Sequence, residues 1–212
     1  MFEIGEFLSE IPDALVASLA SRERRNAAAG RLIGPPPPGT PLLVSLALAV
    51  EHTGIYLGNN HVAELEDDGS VAKVSLTHFL NGAPDAELPL RNGTRIFAAC
   101  DAFTRKPIGN ERTFKLARKA AKLALCPGYD LVQSNCHLFC ASCAAGILPR
   151  GEKYRALSRM GLMSIAKLER VLAKEMNDGR KIAWCAVRRG KEDFHYKLTD
   201  EKVARLRLEG KL

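Results

Sequence analysis

No apolar run in this chain is long enough to span a bilayer. The longest, Pro41 to Val50, has ten residues and is interrupted by Ser45. Basic residues are missing from Met1 to Glu10, which carries Glu3, Glu6 and Glu10 instead, the reverse of a secretory leader. The end, Arg205-Leu206-Arg207-Leu208-Glu209-Gly210-Lys211-Leu212, is too charged to anchor in lipid. A cytoplasmic protein is expected. Internal repeats are absent, and the only low-complexity tract is Pro35 to Pro38. There is no dense Lys/Arg block, so no nucleic-acid partner is expected. A second short-spaced Cys/His pair is also missing. Structural zinc sites draw such pairs from two separate segments, so neither a metal nor another cofactor is expected.

What is present fits a globular chain. Of 212 residues, 46% are hydrophobic and 26% charged, enough for one sizeable core. The net charge of +7 is uneven. Residues 150–212 hold 17 Lys and Arg against 9 Asp and Glu, whereas residues 1–149 hold 14 against 15. The basic part reads as a solvated surface, with contact to an anionic surface as the sharper alternative. Six cysteines in a chain of this length do not make a disulfide scaffold, and three crowd one short segment, which suits a reducing compartment.

Three regions follow from the pattern: an N-terminal helical segment over 1–34, a main domain over 38–149, and a basic α/β extension over 150–212. Residues 1–29 carry Phe2, Phe7, Leu8, Ile11, Leu15 and Leu19 at helical spacing. This helix is expected to pack on its own domain or against another copy, and the oligomeric state stays open. Ile33 to Gly39 is a stiff linker. Strands are expected over 42–50, 52–58, 61–66, 71–74 and 95–100, with a short helix from Ser75 to Leu80. Glu111 to Leu125 reads as an amphipathic helix, with Phe114, Ala117, Ala121, Ala124 and Leu125 on its apolar stripe, widened on one side by Leu116, Ala120 and Leu123. Beyond Pro149 the pattern gives a helix over 164–177, a hairpin of 181–187 with 194–198, and a last helix over 199–208.

The chemistry gathers in Ser134-Asn135-Cys136-His137-Leu138-Phe139-Cys140. Ser and Asn are preferred helix N-caps, and Gly146 is a terminator, so a helix is expected from about Cys136 to Ala145. Its first turn holds unpaired amides and the positive end of the helix dipole. A thiol there ionises more readily, and the thiolate is the nucleophile. Cys136 is therefore the candidate nucleophile. Cys140 and Cys143 share a helix face with it, within an arc of about 60°, and read as small core residues. The candidate base is His52, on a strand that ends at Gly58-Asn59-Asn60. Glu64 on the next strand would orient it. A plain two-residue turn sets Glu64 opposite Ile55, on the wrong face, so a bulge or longer loop is required. His61 is the alternative third member. Asn135 has a capping role and a positioning role, and the Cys136 amide is the better oxyanion donor. Tyr56 shares a strand face with His52 and lines either the site or the core. His78 and His195 have no evident partner and read as surface residues.

His52-Thr53-Gly54-Ile55-Tyr56-Leu57-Gly58, followed 84 residues after His52 by Asn135-Cys136-x-x-Phe139, resembles the lecithin:retinol acyltransferase family. That family is the circularly permuted branch of the NlpC-type, papain-like cysteine hydrolases. The resemblance runs from about Pro38 to Gly146. Two positions depart from it: His137-Leu138 stands where vertebrate members have Glu-His, and Glu64 where many have a second histidine. The resemblance implies an α+β fold with a small antiparallel sheet against the nucleophile helix. It implies acyl transfer or hydrolysis through an acyl-enzyme on Cys136, with acyl lipids or small acyl-bearing molecules as substrates. An amidase or peptidase of the NlpC type and a non-catalytic binding module are the alternatives.

Overall fold

The hairpin that carries the candidate residues sets the register of the sheet. Strand β3 (Glu51–Gly58) and strand β4 (His61–Leu65) are antiparallel, joined by Asn59 and Asn60. Both turn residues have positive φ, 50° and 60°, which asparagine tolerates and a two-residue hairpin of this hand requires. The pairs are Gly58 with His61, then Tyr56 with Val62, so Leu57 is an extra residue. This is the irregularity that the sequence demanded. It moves Glu64 from Ile55 to Gly54, and hence to the face of β3 that carries His52.

The computed structural model describes residues 31–33, 35–45, 51–82, 95–128, 135–159, 161, 163–189 and 192–193. The fold is α+β. Besides β3 and β4 the sheet contains β1 (Arg31–Ile33), β2 (Pro41–Ser45), β5 (Val71–Ser75), β6 (Ile96–Asp101), β7 (Ile182–Arg189) and β8 (Glu192–Asp193). Its order is β1-β7-β6-β2-β3-β4-β5, and β8 pairs with β7. Every pairing is antiparallel except that of β1 with β7. The helices are α1 (Leu76–Asn81), α2 (Glu111–Lys122), α3 (Cys136–Ala144), α4 (Gly151–Ser158) and α5 (Ile165–Met176).

Strand alternation divides the core in two. Leu43, Ile55, Ala63, Leu65, Phe97 and Trp184 meet the buried faces of α2, α3 and α5 on one side. Leu42, Val44, Val62, Ile96 and Ala98 meet α1 on the other, through Leu76, Phe79 and Leu80. Helix α3 is buried nearly all round, from Leu138 to Ala144, which suits its lack of a polar face. Cys140 and Cys143 are core residues within it. Helix α2 begins where expected, with Asn110 Oδ1 accepting from the Thr113 amide at 2.9 Å. It ends at Lys122, and its buried residues are Thr113, Ala117 and Ala120. Ala117 and Ala120 face the core as expected, with Leu116, Ala121 and Leu125 packed against it, while Leu123 is left 48% exposed.

Two expected boundaries are corrected. Residues 31–33, assigned to the N-terminal helical segment, form an edge strand; the helix expected over 1–29 lies outside the described residues. Residues 150–189 are not an appended unit either. Strand β7 sits inside the sheet between β1 and β6, and Leu168, Leu172 and Trp184 share one apolar cluster with Leu138 and Phe139. Asn177, at the end of α5, donates to Asp101 at the end of β6 (3.1 Å). The change of charge at Pro149 therefore falls within one packed body. The β8 partner is 192–193, and the segments 194–198 and 199–208 lie outside the described residues.

Gly54 explains why a side chain is missing from the centre of β3. A Cβ there would stand 2.6 Å from Val62 Cγ1, 2.9 Å from the Ala63 carbonyl oxygen and 2.9 Å from Phe79 Cε2. Two of these neighbours belong to β4 and one to α1, so relief would require backbone movement. Gly54→Ala is expected to destabilise the fold by about 2–3 kcal/mol, the upper part of the overpacking range. At about 2–4 °C per kcal/mol for a chain of this size, the thermal midpoint should fall by several degrees. An unchanged midpoint would contradict the β3–β4 packing described here.

Candidate active site

Asn135 builds the start of α3. Its φ of −120° and ψ of 173° are extended, and its Oδ1 accepts from the Leu138 amide at 2.9 Å. Its carbonyl takes the Phe139 amide at 3.0 Å. The cap leaves Cys136 as the first helical residue, and the helix itself supplies no acceptor for the Cys136 amide. Asn135 Nδ2 lies 3.4 Å from the Met163 carbonyl. Both ends of this carboxamide thus hold the backbone, which assigns Asn135 to capping.

The Cys136 side chain is 3.9 Å from the Glu51 carbonyl, beside the first residue of β3. Next along the strand is His52, buried like the thiol and packed against Phe79 at a centroid separation of 5.4 Å. His52 and Cys136 are electrostatically coupled: the charge of each stabilises the charged form of the other. His52 Nε2 is 2.6 Å from Glu64 Oε2, and the carboxylate is completely buried. With Nε2 engaged by Glu64, Nδ1 is left to exchange a proton with the sulfur. The structure therefore pairs His52 with Glu64 directly and sets Cys136 beside the strand start that carries His52.

Electrostatics separate this thiol from its neighbours. Burial pushes the Cys136 thiol up. Against it act the charges of His137 and His52, then their hydrogen bonds, and the net result lies well below the ordinary thiol value. Burial likewise acts to lower His52, but the Cys136 and Glu64 charges, with their hydrogen bonds, raise it to about 9. Both shifts act in the direction of a thiolate–imidazolium pair. Burial pushes Cys140 well up and Cys143 up to about 12, so neither competes as a nucleophile.

The other four histidines and Tyr56 need separate placement. His61 pairs with Gly58, six residues along β3 from His52, and alternation puts it on the face opposite Glu64. It is not the third member. Tyr56 is buried in the apolar cluster beside α1, and its hydroxyl lies 3.4 Å from the Asn60 amide. It braces the β3–β4 turn and does not line the site. His137 is a contact that sequence reasoning missed: its Nδ1 is 3.8 Å from Cys136 Sγ and 3.0 Å from Thr53 Oγ1. Adjacency to Cys136 in the first helical turn was the available signal. His78 is not a surface residue without a partner. Its Nε2 is 3.5 Å from Glu64 Oε1 and 3.2 Å from Glu66 Oε1. His195 lies outside the described residues.

Glu64, Glu66 and His78 have ligand-type atoms within 4.8 Å of one another. The Glu64 carboxylate faces the imidazoles of His52 and His78, and the Glu66 carboxylate faces His78. Among the described residues no helix is long and apolar enough to cross a membrane. Comparison of the chain with protein-family models, with characterised proteins and with solved structures found no match.

Proposed function

We propose that the protein is a cysteine-dependent acyltransferase or hydrolase, built on a permuted papain-like fold of the NlpC type. One observation carries the reading. A thiol in the first turn of a capped helix stands beside the strand start that carries His52 and is electrostatically coupled to that imidazole. The imidazole is held through Nε2 by a buried carboxylate. This is the nucleophile, base and orienting group of covalent acyl chemistry.

The Cys136 thiolate attacks the carbonyl carbon of an ester or thioester and forms a C–S bond. The oxyanion of the tetrahedral species is taken by the Cys136 backbone amide, which the helix leaves unpaired. Collapse breaks the bond to the leaving group, and the His52 imidazolium delivers its proton to the departing oxygen or sulfur. The acyl group then rests on Cys136. His52, now neutral, takes a proton from water or from an acceptor hydroxyl or amine. That nucleophile displaces the sulfur as thiolate, and the proton stays on His52, which restores the ion pair. Glu64 stays ionised throughout and fixes the tautomer of His52. No step calls for a metal. Preference for acyl lipids or acyl thioesters is supported by the likeness of 52–58 and 135–139 to the lecithin:retinol acyltransferase family.

Intact-mass analysis after incubation with a medium-chain acyl thioester, or with a diacyl phospholipid, tests the reading. One acyl increment mapping to Cys136 is expected. No increment with either donor, in protein whose Cys136 still alkylates, would favour a binding module and overturn the proposal.

A further inference from the structure

Cys136 meets a second imidazole, which the acyl-transfer steps above do not use. His137 is the next residue of α3, and its Nδ1 lies 3.8 Å from Cys136 Sγ, within hydrogen-bonding range for sulfur. The Asn135 cap fixes where α3 starts, and hence where His137 leaves it. Thr53 of β3 fixes the ring. It is completely buried, and its Oγ1 stands 3.0 Å from the same nitrogen. Alternation along β3 puts Thr53 with Ile55, which packs on Leu138 and Phe139 of α3. His137 itself is half-buried, whereas His52 and Thr53 are buried. One imidazole nitrogen is thus shared between a hydroxyl from the sheet and the sulfur of the candidate nucleophile.

We infer that His137 is a further catalytic residue of the acyl-transfer site: its Nδ1–H, oriented by the Thr53 hydroxyl, donates to the Cys136 sulfur and holds it as the thiolate. This rests on the acyl-transfer reading above, and it adds a donor on α3 to the base on β3. The Nδ1 proton has two acceptors in reach, and an anionic sulfur draws it more strongly than a neutral hydroxyl oxygen does. Charge acts in the same direction. Burial pushes the Cys136 thiol up, and His137 opposes it most strongly, ahead of His52. The titratable groups around the sulfur come from three elements. On α3 they are His137 and Cys140, and burial keeps Cys140 protonated. On β3 His52 follows Glu51, whose carbonyl touches the sulfur, and Glu64 of β4 acts through His52. Other helices on α3 direct their charges elsewhere. Arg112 of α2 donates to the Ala144 carbonyl at the far end, and the charged residues of α4 are exposed. On α5, Glu169 accepts from Trp184 and Glu175 pairs with Arg112. Loss of the His137 donor removes one of the two groups that oppose burial of the anion, so the thiolate is lost at a higher pH than in the wild type.

The test is the pH dependence of Cys136 alkylation by iodoacetamide in the full chain, read by peptide mass, in the wild type, His137→Phe and His137→Asn. Phenylalanine keeps a ring and has no donor, whereas asparagine presents an amide N–H close to where Nδ1 stands. The acid-side inflection should rise by about one pH unit in His137→Phe and return at least halfway in His137→Asn. Thr53→Val should raise it by less, and no rise there would overturn the part assigned to Thr53. Superimposable profiles for wild type and His137→Phe would overturn the inference. So would equal shifts in His137→Phe and His137→Asn, since the Nδ1 donor would then not be the cause. If His137→Phe does not fold, His137→Leu takes its place under the same criteria. An acyl adduct on wild-type Cys136 with an unshifted His137→Phe profile would overturn this inference alone. A shifted profile with no acyl adduct on the wild type would overturn the acyl-transfer reading and leave the donor to the sulfur standing.

Discussion

Cys136→Ser is expected to fold like the wild type and to lose turnover by on the order of 10⁶-fold, the scale for deleting the nucleophile of a catalytic triad. Serine is close to cysteine in volume, so the packing of α3 against β3 should survive. What disappears is the preformed anion. A serine hydroxyl does not ionise near neutral pH, and an imidazole at about 9 in the wild type owes part of that elevation to the thiolate beside it. The variant therefore loses both the nucleophile and the proton stored for the leaving group. Hydrolysis of a chromogenic acyl ester, with circular dichroism as the check on folding, measures the effect. Activity within tenfold of wild type in Cys136→Ser or Cys136→Ala would contradict the assignment of the nucleophile.

Glu64→Gln carries the second large effect, a loss of about 10²–10⁴-fold in kcat. The substitution is nearly isosteric and keeps a polar partner for His52. It removes the charge that helps raise His52 to about 9, and it allows an amide N–H to face Nε2. In that arrangement the imidazole proton moves to Nδ1, the wrong tautomer for accepting the thiol proton. The sign of the pH response follows. His52 is raised in the wild type, so the ion pair persists up to about pH 9 and is lost above it. In Glu64→Gln this basic limit should move to lower pH. A variant with unchanged rate and unchanged basic limit would show that Glu64 is a packed acid with no part in the site.

Much of this site was legible in the residues because it is local. Asn135 before Cys136 specifies the cap, and the cap specifies where the sulfur sits. His52 and Glu64 lie on consecutive strands, and the two-residue repeat of a strand was enough to show that Leu57, or an equivalent insertion, had to exist. The parts that were not legible depend on contacts between distant segments. His78 is 14 residues from Glu64, and only the fold-back of α1 turns it toward the carboxylate. Strand β7 reaches its place between β1 and β6 across the whole chain, and nothing in the periodicity of 182–189 names its neighbours. Tyr56 fell on the correct face of β3, but alternation does not say how far along that face a site extends.

Alkylation of Cys136 as a function of pH, resolved from the other five cysteines by peptide mass, tests the central claim most directly. At pH 6 an ordinary thiol is about 0.3% ionised. A thiolate paired with the His52 imidazolium should react at pH 6 at nearly its pH 8 rate, and His52→Ala should abolish that plateau. A Cys136 rate that instead climbs through an inflection near the ordinary thiol value, with or without His52, would contradict the account.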